Sequence, residues 1–375
     1  MERFDIQPIL VSGLPEVANF LRRWRNDRDE ESAIKRPVPE DVLSTERRLQ
    51  WLLVENPLAT GVSQHGFCIR DASGVIRGID ISFPAAFLTA DQRLLGLCSG
   101  AFFVEPQARM LGFYLFKRNL SSPGYSFFFA TTCNANSGPV WKAVGASSVP
   151  NCETEYVLPL RLDVMLPALL TGRTSSRVTA AMARVFGRCA NPVVQLLAQK
   201  SAELTIEPCR DWEKLSELFH RHKSPHWITT DRSPEFLRWR YSLNSPNHPT
   251  DICLFRDKRG HEGWFSLGNI VRGRQGQIRG RVLLDAIWPR EKMRFRDIFP
   301  TILRLVANKA DAVFFQPRPG VDYGECSPWI IPRRGAPRIF AVTPKGSAPL
   351  AVSFLDLVPA DGDSAFRISV WPERF

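Results

Sequence analysis

The sequence predicts a mixed α/β protein made of two similar domains, each a mostly antiparallel mixed sheet flanked by helices. Three observations predict this fold class: the length of the chain, an internal repeat, and the order of apolar segments in each half. The chain has 375 residues, whereas a single domain typically has roughly 100 to 200. With 44% hydrophobic and 23% charged residues, the composition excludes disordered and fibrous proteins.

The internal repeat has an offset of about 187 residues. Segment 49–57 recurs as 237–246, with the step from Trp51 or Trp239 to the following Asn being five residues in both. Segment 68–74 recurs as 253–260, each reading as a strand followed by an Asp/Gly turn. Two matches in the same order favour a duplicated fold over a chance similarity.

The elements of each half follow from apolar periodicity and from capping residues. Ser44 is a candidate N-cap, and the apolar runs that follow the hairpin are typical of buried strands. In the first half we expect a strand over 5–10, helices over 14–25 and from Ser44, a hairpin over 66–82, a strand over 95–104, a helix over 111–119, a strand over 125–132 and a helix over 139–144. In the second half we expect a strand over 204–207, helices over 212–220 and 234–243, strands over 250–255, 264–270 and 281–288, a helix over 296–309, and strands over 312–316 and 366–370.

This order divides the chain into an N-terminal domain over 1–160, a basic helical connector over 161–200 and a C-terminal domain over 201–375. The connector carries a net charge of +5 out of a total of +11. Arg173, Arg177, Arg184 and Arg188 are spaced 4, 7 and 4 residues apart, which predicts one helix face. That face is either a solvated surface or a ridge for an anionic partner such as nucleic acid, membrane headgroups or an acidic carrier.

Charged residues at the N-terminus and short apolar stretches predict a soluble, cytoplasmic protein. Glu2, Arg3 and Asp5 precede any apolar run, unlike a secretory signal, and the apolar stretch 94–104 has only about half of the ~20 residues that span a bilayer.

No two of the eight cysteines are closer than 19 residues. The histidines of 220–226 have no Cys or carboxylate at ligand spacing, so we expect no metal. The oligomeric state is not indicated.

The most informative motif follows the strand that ends at Val104. The chain turns through Pro106 and enters a helix that carries Arg109 and Gly112 in its first turn. Free amides and the dipole at a helix N-terminus can hold a diphosphate, and a glycine allows close approach of the main chain. A turn through Pro into a helix is also common in structural roles.

This motif resembles the acyl-CoA signature of the GNAT superfamily of N-acetyltransferases, Val-x-Pro-x-x-Arg-Gly-x-Gly-x-Gly/Ala. Val104, Pro106, Arg109 and Gly112 match it, and Asn134, Trp141 and Gly145 match a second family element. Over nearly the whole chain the element order is similar to that of two tandem GNAT domains. The resemblance implies that acetyl-CoA or another acyl-CoA, as co-substrate, contacts eight residues of the first domain: Val104, Arg109, Met110, Leu111, Gly112, Phe113, Tyr114 and Asn134.

The departures from the family pattern affect the same loop. Met110 and Tyr114 replace small residues, and Trp141 stands where a proton-donating Tyr often occurs, a role that indole cannot fill. The second half has no glycine between Gly280 and Gly320, which predicts a degenerate copy without a conventional cofactor loop. The catalytic base is not assigned, because Glu105 could equally be a surface residue.

The function implied by the resemblance is N-acyl transfer, most simply acetyl transfer, from acyl-CoA to a primary amine. An amino sugar or another precursor of a cell-envelope polysaccharide is one acceptor class, and we expect it in a groove between the domains, lined by aromatic and Arg side chains of the second half. Two alternatives stay open: a non-catalytic binding or scaffold protein, and a transferase of the peptidoglycan-bridge type whose donor is an aminoacyl-tRNA.

Overall fold

The computed structural model describes residues 3–28, 42–133, 136–170, 177–198, 204–242, 245, 250–272, 278–334, 338–344 and 350–357. The first half contains strands β1 (Phe4–Pro8), β2 (Gly66–Asp71), β3 (Ile76–Leu88), β4 (Arg93–Val104), β5 (Phe127–Cys133), β6 (Ser147–Ser148) and β7 (Thr154–Pro159). Its helices are α1 (Leu14–Arg28), α2 (Val42–Leu49), α3 (Gly112–Asn119) and α4 (Ser137–Ala143).

The connector forms helices α5 (Leu162–Leu170) and α6 (Arg177–Ala198). The second half contains strands β8 (Thr205–Pro208), β9 (Ile228–Thr230), β10 (Thr250–Arg256), β11 (Glu262–Arg272), β12 (Ile278–Ile287), β13 (Ala312–Phe315), β14 (Ile331–Arg334), β15 (Arg338–Val342) and β16 (Leu355–Asp356). Its helices are α7 (Trp212–His222), α8 (Pro234–Tyr241) and α9 (Phe295–Val306).

Two mixed sheets with the same strand order contain these strands. The first follows the order β1-β2-β3-β4-β5-β15-β6, and the second follows β8-β10-β11-β12-β13-β7-β14. Along this order the fourth and fifth strands run parallel and the other described pairs run antiparallel. The first sheet also contains β9, which pairs with β3, and β16, which runs parallel to β9. The predicted class of two similar, mostly antiparallel mixed sheets is therefore confirmed.

The equal order of the sheets depends on an exchange of one strand between the halves. β7 comes from the first half but pairs with β13 and β14 in the second sheet. β15 comes from the second half and pairs with β5 and β6 in the first sheet. The boundary at residue 160 therefore separates the two copies of the sequence repeat, but it does not separate the two sheets, because each sheet includes one strand from the other half.

Helices cover both faces of each sheet, which is why the central strands are continuous apolar runs. In the first sheet, α1 packs on one face, and α3 and α4 pack on the other. In the second sheet, α7 and α8 oppose α9. N-cap side chains mark the start of two of these helices. Asp211 accepts a hydrogen bond from the N–H of Lys214 at the start of α7, and Ser233 accepts one from the N–H of Phe236 at the start of α8.

Several elements differ from those expected from the sequence. The second helix begins at or before Val42 rather than at Ser44, and Trp51 lies in a short π-helical segment, Gln50–Val54, that continues it. Six strands were not predicted: β6, β9, β14 and β16, each only two to four residues long, and the longer exchanged strands β7 and β15. The expected turn at 361–363 and strand over 366–370 lie outside the described residues.

A symmetric tryptophan pair joins the halves. The indole N–H of Trp51 donates to the carbonyl of Trp239 at 3.0 Å, and that of Trp239 donates to the carbonyl of Trp51 at 2.9 Å. The two rings stack with centroids 4.7 Å apart. These tryptophans are equivalent positions of the repeat, 188 residues apart, so the contact is self-complementary, as at a two-fold axis.

A buried polar network lies inside the first sheet. Asp80 is fully buried and accepts hydrogen bonds from Ser99 Oγ at 2.7 Å and Asn119 Nδ2 at 3.0 Å. Burial raises the pKa of Asp80 to about 7, and these two hydrogen bonds only partly oppose the rise. The folded protein therefore holds a proton on Asp80 at pH values where the unfolded chain has released it.

We expect Asp80 to make stability fall as pH rises. Between pH 4 and pH 7 its contribution should lower the free energy of unfolding by at most about 1.4 kcal/mol per pH unit, and above pH 7 it should level off. Asp80→Asn should remove this slope while keeping both hydrogen bonds. Urea unfolding of both proteins at pH 5, 6 and 7.5 measures the difference, in which the opposite effect of buried His65 cancels. Equal slopes for both proteins would contradict the assignment.

The tryptophan pair should stabilise both halves at once. Trp51→Phe and Trp239→Phe each remove one indole donor, and each should lower the free energy of unfolding by about 1–3 kcal/mol. Because the two rings share one contact, the double variant should lose less than the sum of the single losses. Chemical denaturation followed by circular dichroism gives the three values, with Trp329→Phe, an exposed tryptophan, as the control. Additive losses would show that the pair is not coupled.

Candidate active site

The fourth and fifth strands of each sheet diverge at the same point. β4 pairs with β5 only from Gly96 to Cys98, and β12 pairs with β13 only from Gly280 to Val282. Just beyond this point, the fourth strand has one extra residue relative to the third, Gly100 in the first sheet and Leu284 in the second. Both halves therefore have a V-shaped opening between parallel strands, with a bulge at its apex.

The opening in the first half is filled by aromatic side chains. Phe116 of α3 packs edge-on against Phe102 of β4 and Trp141 of α4, with ring centroids 5.8 and 4.9 Å away. Trp141 is only 2% exposed, so it is a core residue. Glu105, at the end of β4, forms ion pairs with Arg23 and Arg77.

The predicted diphosphate loop forms a 3-10 helix over Pro106–Leu111 that leads directly into α3. The amide of Ala108 donates to the carbonyl of Glu105, and that of Gly112 donates to the carbonyl of Arg109. Gly112 is buried, and a Cβ there would lie 3.4 Å from Val104. That distance is an ordinary van der Waals contact, so packing against Val104 does not require a glycine at this position.

The side chains of this loop are brought together on the surface. Arg109 and Phe113 are exposed, as are Met110 and Tyr114 at 86% and 63%. Leu111 is half-buried. Asn134, the remaining residue expected to contact acyl-CoA, lies outside the described residues.

The opening in the second half leads to a charged cavity. Its floor is the end of β12, and other walls come from α7, from β9 and from β16 at the edge of the first sheet. The lining residues are Phe219, His222, Lys223, Ser224, Trp227, Thr229, Arg232, Asp285, Ala286, Ile287, Trp288, Arg290, Arg318 and Asp356. Four cationic side chains thus face two carboxylates, beside two tryptophans.

Asp285 is the buried centre of this charge cluster. Its carboxylate receives a hydrogen bond from Arg232 Nε at 2.6 Å and from the amide of Ala286 at 2.8 Å, and Arg318 lies 3.9 Å away. Arg318 also bridges the strand opening, since its Nη1 donates to the carbonyl of Ala286 at 2.6 Å. These contacts compensate the negative charge of Asp285 and hold its side chain in one position.

Asp356 is less completely bonded. Its Oδ2 lies 3.4 Å from Arg290 and 3.5 Å from Arg318, whereas its Oδ1 has no hydrogen-bond partner among the described residues. Arg318 Nε and Thr229 Oγ1 are buried and unpartnered in the same way. These three buried polar atoms, one carboxylate oxygen, one guanidinium N–H and one hydroxyl, belong to residues that line the cavity and have no hydrogen-bond partner among the described residues.

The electrostatics of the cavity favour binding of an anion. Burial lowers the pKa of Arg290, and the positive charge of Arg318 lowers it further. Burial alone would lower the pKa of Arg318 too, but Asp356 and Asp285 raise it above its usual value. Burial also lowers the pKa of His222, so this imidazole is neutral at pH 7. Among the described residues, no group of His, Cys, Asp or Glu is arranged to hold a metal ion.

Known structures provide the comparison, since no protein-family model and no curated protein matches the sequence. A conserved protein of unknown function from Enterococcus faecalis V583, named a probable N-acyltransferase, matches with a TM-score of 0.56 at 11% identity, over 92% of this chain and 73% of that chain. A GCN5-related N-acetyltransferase from Anabaena variabilis matches with a TM-score of 0.55 at 12% identity, over 91% and 73%. Saccharomyces cerevisiae N-myristoyltransferase with bound myristoyl-CoA matches with a TM-score of 0.59 at 12% identity, over 90% and 78%.

The chain has the GNAT fold. The fold expected from the Val104 motif and from the repeat is confirmed over most of the chain. Identities of 11–12% establish the fold and not the activity.

The charged cavity of this GNAT fold was not located by the sequence motifs, which favoured the first half. Its residues Asp285, Arg318 and Asp356 are more than 30 positions apart along the chain. One signal was present: Asp285 interrupts the apolar run 282–288, and a charge inside a buried strand of a GNAT fold requires a partner. The partner residues were not recognisable, because they come from loops and short strands.

We expect the Asp285 cluster to control stability. Arg232→Met removes the closest partner of a fully buried carboxylate and should lower the free energy of unfolding by about 3–5 kcal/mol. Asp285→Asn in the same chain should restore part of the loss, because the carboxylate that lost its closest partner is then uncharged, while Arg318 keeps Asp356 as a partner. Urea unfolding of both single variants and the double variant tests this coupling. Equal stability of Arg232→Met and wild type would refute it.

Proposed function

We propose that this chain is an N-acyltransferase that moves an acyl group from acyl-CoA to a primary amine. The observation that carries the proposal is the unpartnered Oδ1 of Asp356 in the charged cavity at the diverging strand ends. An amine nitrogen can donate to this oxygen, which has no hydrogen-bond partner among the described residues. The reaction class is supported by the N-acetyltransferase and the N-myristoyltransferase that share the fold.

In this proposal the donor binds to the first half, along the surface of the 3-10 helix and α3. Arg109, Lys117 and Arg118 are exposed there, and no acidic residue occurs between 106 and 125. A diphosphate would therefore meet positive side chains. Because two of the loop amides are already bonded and Met110 and Tyr114 replace small residues, recognition by side chains takes the place of a main-chain cradle.

The proposed reaction is direct. The amine nitrogen attacks the thioester carbonyl carbon, a C–N bond forms, the C–S bond breaks, the CoA thiolate leaves, and the amine loses a proton. Beyond Cys98, β4 has strand pairing on only one side among the described residues. An amide on its open edge can stabilise the developing oxyanion, an effect worth about 3 kcal/mol.

The acceptor class follows from the charges of the cavity. Asp356 favours an amine, whereas Arg318, Arg290 and Lys223 favour a phosphate or carboxylate on the same molecule. Trp227 and Trp288 add apolar surfaces of the kind on which sugar rings pack. An amino sugar carrying an acidic group, such as a precursor of a cell-envelope polysaccharide, satisfies all three features.

Isothermal titration with acetyl-, octanoyl- and myristoyl-CoA tests the donor. We expect saturable binding of at least one of them, weakened at least tenfold by Arg109→Glu, because that change places a negative charge beside the diphosphate. Arg304→Glu, at an exposed arginine on the equivalent helix α9, is the matched control and should leave the affinity unchanged. Failure of all three acyl-CoAs to bind would overturn the proposal and favour a non-catalytic scaffold.

The acceptor is tested in the same preparation by thiol release with glucosamine 6-phosphate as the probe amine. Asp356→Asn should raise KM for this amine at least tenfold and leave the affinity for acyl-CoA unchanged. An unchanged KM would remove Asp356 from the acceptor site without affecting the donor assignment.

A further inference from the structure

Helix α6 presents an apolar stripe to solvent. Val178, Met182, Val185 and Phe186 are 61–68% exposed, and their spacing of 4, 3 and 1 residues places them on one helix face. Scattered single exposed apolar residues are common on proteins, but four on one face form a contiguous patch that marks an interaction surface.

The opposite face of α6 is fixed to the protein, which determines the direction of the stripe. At Gly187 a Cβ would lie 2.3 Å from the amide nitrogen of Asp163 at the start of α5, so only glycine allows this crossing. Asn191 Oδ1 accepts from the amide of Leu162 at 2.8 Å, and its Nδ2 donates to Asp163 Oδ1 at 2.8 Å. Because these contacts hold the helix in place, the outward stripe is a stable feature of the fold.

Arginines follow one flank of the stripe. Arg184 directly precedes Val185, and Arg188 directly precedes Cys189, so each lies about 100° around the helix axis from an exposed neighbour. Both arginines are exposed. Over residues 164–202 the sequence contains five basic residues, Arg173, Arg177, Arg184, Arg188 and Lys200, and no acidic residue.

We propose that α6 docks this protein on an anionic lipid surface. The helix would lie in the interface with the apolar stripe below the headgroups, while long arginine side chains reach the lipid phosphates. Charge complementarity selects this partner over a second copy, which would place one acid-free basic segment against another. Only one of the four stripe residues, Phe186, could stack on a nucleic-acid base, whereas all four are apolar and suit a lipid surface. No described helix is long and apolar enough to cross a membrane, so the contact is confined to the surface.

Vesicle co-sedimentation of the full chain tests this inference. We expect binding to phosphatidylcholine vesicles containing 30% phosphatidylglycerol, at least tenfold weaker binding to pure phosphatidylcholine, and a decrease as salt rises, because screening weakens the arginine contacts. Met182→Ser with Phe186→Ser should reduce binding at least tenfold. Arg184→Gln with Arg188→Gln should remove the preference for anionic vesicles.

Leu10→Ser with Val11→Ser, two exposed apolar residues of the first half, is the matched control and should bind vesicles like wild type. Circular dichroism and urea midpoints show whether each variant is folded. Three results would overturn the inference: no vesicle binding by wild type, a dimer in light scattering that is lost on substitution of the stripe, or tRNA binding through Arg184 and Arg188 without vesicle binding. The outcome is independent of acyl transfer, which is measured separately.

Discussion

The reciprocal contact between Trp51 and Trp239 is the constraint from which the arrangement of this molecule follows. Each indole donates to the other's carbonyl, so the two halves can meet in only one relative orientation. The exchange of β7 and β15 extends this relation into both sheets, because neither sheet is complete without a strand from the other half. In this arrangement β9 and β16, at the edge of the first sheet, face the open end of β12 and complete the charged cavity.

The two halves use the same opening in different ways. Each has a bulge in its fourth strand and loses its parallel pairing at the same point, yet aromatic rings fill the first opening and ionised groups fill the second. The aromatic rings around Phe116 are apolar, so they can be buried without a charged partner. In contrast, the buried charges of Asp285 and Arg318 are tolerated only because each charge compensates the other.

The sequence predicted features that depend on local pattern. The repeat was visible at Trp51 and Trp239 because both copies keep the same spacing, and most helices and central strands followed from apolar periodicity. The exchange of strands was not predicted, because neither β7 nor β15 was recognised as a strand, and a strand pattern alone does not show which sheet a strand joins. The reason for Gly112 is not given by packing either, because a Cβ there would make only an ordinary contact with Val104.

The charged cavity also indicates why its groups are retained. A buried ion pair is weak evidence for stability, because apolar residues of similar volume often replace it without loss. The carboxylate of Asp285 contacts both Arg232 and Arg318, and these contacts hold the two arginines in place. Asp356 Oδ1 has no hydrogen-bond partner among the described residues, and leaving a buried acceptor unpaired costs free energy. Such a cost is compensated when a ligand donates to that oxygen, which gives a physical reason for a half-bonded carboxylate beside Arg318, whose own Nε is also unpaired within the described part of the chain.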